Sequence, residues 1–158
     1  MISYTLKVKD LGKPEKRMAR ALKQETAKAA SEVSKKIIDV LAAESVSIYD
    51  LGGYRSGWRA SVFRDRLRVY NIKRNAVFVE KGRRAGAKQP PLEAIAPWVE
   101  RHLGDRRLAF PVARSIAQKG IRPRPVLTSP RVQARLRKLW HGAMQKARDR
   151  ALATSRTA

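Results

Sequence analysis

A helical apolar stripe about thirty residues long constrains this chain more than any other feature. From about residue 15 to residue 47, apolar or small residues recur at Met18, Leu22, Thr26, Ala29, Val33, Ile37 and Leu41. Spacings of three and four place them on one narrow face of a helix, with Lys16, Arg20, Lys23, Lys28 and Lys35 largely off it. At ~1.5 Å per residue such a helix is ~45 Å long. The whole chain has 158 residues, the natural size of one domain with a sizeable core. A helix of that length exceeds what such a domain needs, so part of it is expected to pack against another subunit.

The segments around it read as a small sheet followed by helices. Ile2, Tyr4, Leu6 and Val8 alternate with polar residues, the period of a half-buried strand. Leu11-Gly12-Lys13 breaks that alternation, and Pro14 suits a first helical turn. After a turn at Asp50-Leu51-Gly52-Gly53, residues 58–63 alternate loosely. Leu67 and Val69 continue beyond a tight Arg64-Asp65-Arg66 connection, and the apolar run 76–79 follows. These three runs predict a meander of short strands.

Downstream, Leu92, Ile95, Ala96, Val99 and Leu103 form a helical face, with Pro97 inside it expected to kink or split the helix. A second helix spans about 108–119, with Pro111 in its first turn and Gly120 as its stop. Residues 121–127, with Pro123 and Pro125, read as extended and unfit for a central strand. Ser129 and Pro130 open a last helix whose apolar face is Val132, Leu136, Leu139, Trp140, Ala143 and Ala147. The fold class that follows is α+β: a small antiparallel sheet with a long N-terminal helix and shorter C-terminal helices. One domain over residues 1–152 and a flexible tail over 153–158 are expected.

Charge is the second constraint. The formal net charge is +23, from 36 Lys/Arg and 13 Asp/Glu. From Arg101 onward, 15 Lys/Arg face only Asp105 and Asp149, so the last third of the chain is the most basic. Self-repulsion on this scale is relieved by nucleic acid, an acidic protein surface or an anionic membrane. The absence of cysteine removes disulfides and thiolate metal sites. No apolar run approaches the ~18 residues of a bilayer span. The N-terminus reads as a strand rather than a signal segment, so a soluble protein made in the cytoplasm is expected.

No constellation suited to catalysis emerges. His102 and His141 belong to no metal-ligating or nucleophile-orienting spacing, and the carboxylates are scattered. Gly82, Gly86 and Lys88 lack the glycine–lysine–hydroxyl ending of a phosphate-binding loop. The expectation is a non-enzyme with no metal and no cofactor. A contact element fits better: Glu80-Lys81-Gly82 leads into a loop bearing Arg83, Arg84 and Lys88, and a second loop bears Arg122 and Arg124. Guanidinium forks on loops shaped by Gly and Pro suit carboxylates or phosphates of a partner. Arg131, Arg135 and Lys138 on the last helix are the candidates for facing DNA, against the plainer reading of a solvated face. Trp58, Trp98 and Trp140 sit on apolar faces and are expected in the core.

Taken in order, these motifs resemble a family of tailed-phage neck proteins, the tail-completion or minor-tail-component family that includes head–tail joining proteins. Its members pair a long N-terminal helix with a V-E-x-G turn, matched by Val79-Glu80-Lys81-Gly82. A basic or glycine-rich loop and a P-P-hydrophobic-x-x-I-x-x-W helix follow in the family, matched from Pro90-Pro91-Leu92 through Ile95 to Trp98. The I-A-x-K-G motif with a proline-rich run is matched by Ile116-Ala117-Gln118-Lys119-Gly120 and Arg122-Pro123-Arg124-Pro125. The resemblance spans roughly residues 14–130; Pro97, Pro111 and the long basic C-terminal helix depart from the pattern.

What the resemblance implies is a virion structural protein, made in the host bacterial cytoplasm and built into the neck. Such proteins form rings, usually of six copies with twelve as the alternative, between the connector and the tail tube. Partners would be further copies of the chain, connector, adaptor or stopper proteins, and tail terminator or tail tube proteins. On this view Glu80, Arg83, Arg84, Lys88, Arg122 and Arg124 meet subunits or partners. Packaged DNA would be contacted in the lumen without sequence preference, and no membrane is involved. The contrasting readings are a free non-sequence-specific nucleic-acid-binding protein and, with less behind it, a toxin-like RNase.

Overall fold

The computed structural model describes residues 2–7, 16–46, 53–63 and 66–156. The expected strand end at Val8, the break at 11–14, the loop at 50–52 and the connection at 64–65 lie outside these residues, as does the end of the expected tail, 157–158.

Alternation in the sequence becomes a three-stranded antiparallel sheet. Its strands are β1 (Ile2–Lys7), β2 (Trp58–Phe63) and β3 (Arg66–Asn71), in the order β1-β3-β2. Asn71 pairs with Ile2 on one side and with Trp58 on the other. In the central strand Leu67 and Val69 are fully buried while Arg66 and Arg68 are exposed, so the period of two sets the core face.

The long stripe forms α1 (Lys16–Glu44), 29 residues. Its buried residues are Ala29, Ala30, Val33, Ile37, Val40 and Leu41, from the middle of the helix onward. Met18, Leu22 and Thr26 are only half-buried. The last helix, α6 (Pro130–Arg156, 27 residues), runs along α1. Val132, Leu136, Trp140, Met144, Ala147 and Ala151 are its buried line, spaced by three and four. Leu139 and Ala143, placed on the same face by the sequence, are only half-buried, because the packed seam is narrower than the apolar stripe. The helix continues to Arg156, past the expected onset of fraying at Leu152.

A short helix, α2 (Gly53–Ser56), leads into β2 through Gly57. A Cβ at Gly57 would stand 2.3 Å from Asn71 Oδ1, so glycine is needed for that side chain to approach. Asn71 Nδ2 donates to Tyr54 O at 2.8 Å, and Asn71 Oδ1 accepts from Lys73 N at 2.9 Å. Trp58 Nε1 donates to Ser45 Oγ at 2.9 Å, and that hydroxyl donates to Leu41 O at 2.6 Å. The indole packs edge-on to Tyr54, ring centroids 5.4 Å apart. Trp58 is therefore satisfied as well as buried.

Where one domain is expected over residues 1–152, the chain forms two compact units. Residues 1–73 and 126–158 make the first, and residues 74–125 are inserted as the second. The inserted unit corrects one strand assignment: residues 76–79 belong to a helix, α3 (Ala76–Lys81). An apolar run of four cannot be told strand from helix by period. As a helix it buries Ala76 and Glu80, one turn apart, and leaves Phe78 exposed.

The rest of the second unit is α4 (Leu92–Leu103), a 3-10 turn at Arg106–Leu108 and α5 (Ala109–Lys119). Pro97 sits within α4 on its exposed side, and the helix is continuous rather than split. Gly104, at φ 76°, ends α4 with its N–H on Glu100 O. Asp105 Oδ1 accepts from Arg107 N at 2.9 Å and so caps the 3-10 turn. The core here is Ala96, Val99 and Ala109, flanked by Ile95 and Val112.

Candidate functional site

The two basic loops singled out by the sequence lie side by side in the inserted unit. Arg83 N donates to Ile121 O at 2.8 Å, and Ile121 N donates back to Arg83 O at 2.9 Å. Gly86 N donates to Ala117 O at 2.7 Å, and Arg124 N donates to Val79 O at 2.7 Å. Glycines make this clamp close. A Cβ at Gly82 (φ 69°) would lie 2.3 Å from Ile121 O, and one at Gly120 (φ 74°) would lie 2.3 Å from Arg83 O. With ψ at −165° and −167°, both glycines occupy backbone space that other residues essentially do not visit. The sequence read Gly120 as a helix stop; its second task, admitting a neighbouring backbone, is decided by a segment far away in the chain.

The clamp divides the six expected contact residues into two kinds. Arg84, Lys88, Arg122 and Arg124 are exposed on the paired loops. Arg83 is half-buried, its guanidinium 5.5 Å over the Phe78 ring, with Nη2 donating to Lys88 O. It braces the loop against α3. Glu80, also among the expected contact residues, is 3% exposed and lies buried in α3. A V-E-x-G reading could not reveal this, because it took the segment as a strand with its carboxylate at an open turn.

The three residues expected to face DNA also separate. Arg131 and Arg135 both pair with Glu44 at the end of α1, Arg135 Nη1 at 3.4 Å from Oε1. Lys138 lines a groove of about 580 Å³ between α1 and α6. The groove's cations are Lys36 from α1 and Arg135, Lys138, Lys146 and Arg150 from α6, with Glu32 the carboxylate among the lining residues. Its uncharged lining is Ala29, Val33, Leu139, Gly142 and Ala143. This groove was missed in the sequence. The i, i+3, i+7 and i+11 steps from Arg135 through Lys138 and Gly142 to Lys146 are visible there, but which wall of α1 they face is not.

A third surface runs over α4 and α5. Leu92, Trp98, Leu103, Leu108 and Phe110 are between 38% and 54% exposed. Trp58 and Trp140 occupy the core as expected, each 1% exposed, whereas Trp98 is 38% exposed and stacks on His102 with centroids 4.7 Å apart. The sequence expectation that all three tryptophans are interior is therefore corrected for Trp98. The α4 core has room only for Ala96 and Val99 on its inner side.

His141 is exposed on α6, remote in sequence from the His102 stack. Among the described residues no group of three or more His, Asp or Glu could hold a metal ion, and no helix is long and apolar enough to cross a membrane. No protein-family model, curated protein or solved structure matches this chain.

Proposed function

We propose that the chain is a virion structural protein of a tailed phage, a ring-forming tail-completion or head–tail joining subunit of the neck. The observation that supports this best is the surface of the inserted unit: glycine-clamped basic loops together with an uncovered apolar face on α4 and α5. Large apolar side chains left outside a folded unit mark interaction surfaces. A heterologous contact that closes by rotation would bury them between neighbouring copies. Arg84, Lys88, Arg122 and Arg124 then meet acidic faces of adjacent neck proteins or, from the lumen, DNA phosphates. The N-terminal half of α1, with Met18 and Leu22 half-exposed, is a further place for a neighbour. In this reading the protein performs no bond-making chemistry and takes no cofactor.

The test is the mass of the purified protein by light scattering at low and high salt, with and without short duplex DNA. A DNA-independent hexamer or larger ring is expected. A monomer at every concentration, with neck partners supplied, refutes the reading.

A second reading, a free non-sequence-specific nucleic-acid-binding protein, is favoured by α6, which carries eight Lys/Arg against Asp149 alone. It predicts a monomer that coats DNA and leaves it as salt rises. Replacing Arg122 and Arg124 by Ala would then lower DNA affinity and its salt slope. In a ring subunit the same change impairs assembly first.

A further inference from the structure

We infer that the groove between α1 and α6 is a receptor for an acidic amphipathic helix of a partner protein. This goes beyond the neck reading and does not depend on it.

Gly142 is the starting observation. It lies well inside a 27-residue helix, is exposed, and has nothing within 4 Å of where a Cβ would stand. Glycine is the poorest residue after proline for a helix interior. Nothing within the chain requires it here. What glycine permits is the close approach of another backbone, and Gly142 is among the residues that line the groove, on its open side.

The groove's charge points to the kind of backbone. Arg135 and Arg150 are turned to Glu44 and Glu25, the latter at 4.0 Å. Lys36, Lys138 and Lys146 have no carboxylate partner among the described residues. Three ammonium groups thus share the lining with Val33 and the half-buried Leu139. From Arg135 to Arg150 the α6 wall is ~22 Å long at ~1.5 Å per residue, about four helical turns. A helix with one apolar stripe and acidic flanks satisfies the apolar and the charged lining together.

Other occupants fit less well. No aromatic side chain lines the groove to stack a base, and a phosphate backbone has no apolar face for Val33 and Leu139. A second copy's long helices are themselves basic: α1 carries seven Lys/Arg to four Asp/Glu, and α6 eight to one. Like charges would oppose that docking.

The experiment measures fluorescence anisotropy of the full chain with three labelled probes. These are an amphipathic Glu/Leu/Ala helical peptide of about four turns, the same composition scrambled to break its stripe, and a short DNA duplex. The amphipathic peptide is expected to bind at least about tenfold more tightly than the scrambled one. Gly142→Leu should put a bulky side chain where the partner backbone approaches and weaken that peptide by at least about tenfold, while leaving duplex affinity unchanged. The variant alters no charge and improves helix propensity, so its melting temperature should match or exceed the parent's. As a second variant, the exposed Lys138→Glu/Lys146→Glu pair should also weaken the amphipathic peptide. Equal binding of the two peptides, or no effect of Gly142→Leu, would overturn the inference by showing that net charge alone recruits them. Loss of duplex binding in Gly142→Leu would overturn it in favour of nucleic acid in the groove. Ring formation is read separately by light scattering, so either proposal can fail alone.

Discussion

The two units of this protein treat apolar side chains in opposite ways. The first holds 19 of the 24 buried hydrophobic residues among those described, including Trp58 and Trp140. The second buries only Ala76, Ala96, Val99, Ala109 and Ala113, yet carries seven of the eleven exposed large hydrophobics. Its shape comes instead from backbone devices: positive-φ glycines at 82, 86, 104 and 120, the Asp105 cap, and the paired loops. A unit with so small an interior leaves its large side chains where a partner can cover them. The contrast is one between a unit with a large apolar interior and a unit that leaves most of its large apolar side chains exposed.

Substitutions should affect the two units differently. Trp140→Ala should have the largest effect, about 3–5 kcal/mol lost from the first unit in denaturant unfolding. A cost below about 1 kcal/mol would mean that burial in the α1–α6 seam does not stabilise the first unit. Gly120→Ala should cost about 1–3 kcal/mol through backbone strain alone. Its loss should be local: hydrogen exchange is expected to accelerate at Arg83 and Ile121 and stay unchanged at Leu67 and Val69. Uniform acceleration would show that the two units unfold together.

Ser45→Ala leaves the Trp58 indole N–H buried without its acceptor, at a cost of about 1–3 kcal/mol by thermal melting. The double change Trp98→Ser/Phe110→Ser removes side chains 38% and 54% exposed, so it should cost about 1–2 kcal/mol, less than Trp140→Ala, yet lower the mass seen by light scattering. An unchanged mass would show that the exposed face of α4 and α5 is not where copies meet. Glu44→Gln removes the carboxylate that Arg131 and Arg135 share. Both arginine side chains are more than half exposed, so solvent screening should hold the loss to about 1 kcal/mol or less, and to nearly nothing in high salt.

Periodicity decided much of the fold from the sequence alone. The three- and four-residue spacing of Val33, Ile37 and Leu41, and of Val132, Leu136 and Trp140, marks two long helices because a packed helix needs one continuous stripe. The alternation at Leu67 and Val69 marks a strand for the same reason at a period of two. Gly120 marks a helix end through its tolerance of positive φ. The basic loops around Arg84 and Arg122 stand out by residue type.

Only tertiary structure settled the rest. Residues 76–79 form a helix, a choice that an apolar run of four leaves open because it fits either period. Trp98 lies outside because α4 packs through Ala96 and Val99, a choice of face that local apolar content leaves open. The Arg83–Ile121 bridge, the burial of Glu80 and the basic groove over Gly142 each depend on segments distant in sequence. Local propensity acts over a few residues; which surfaces then meet is fixed by chain topology and by the backbone room that glycine leaves.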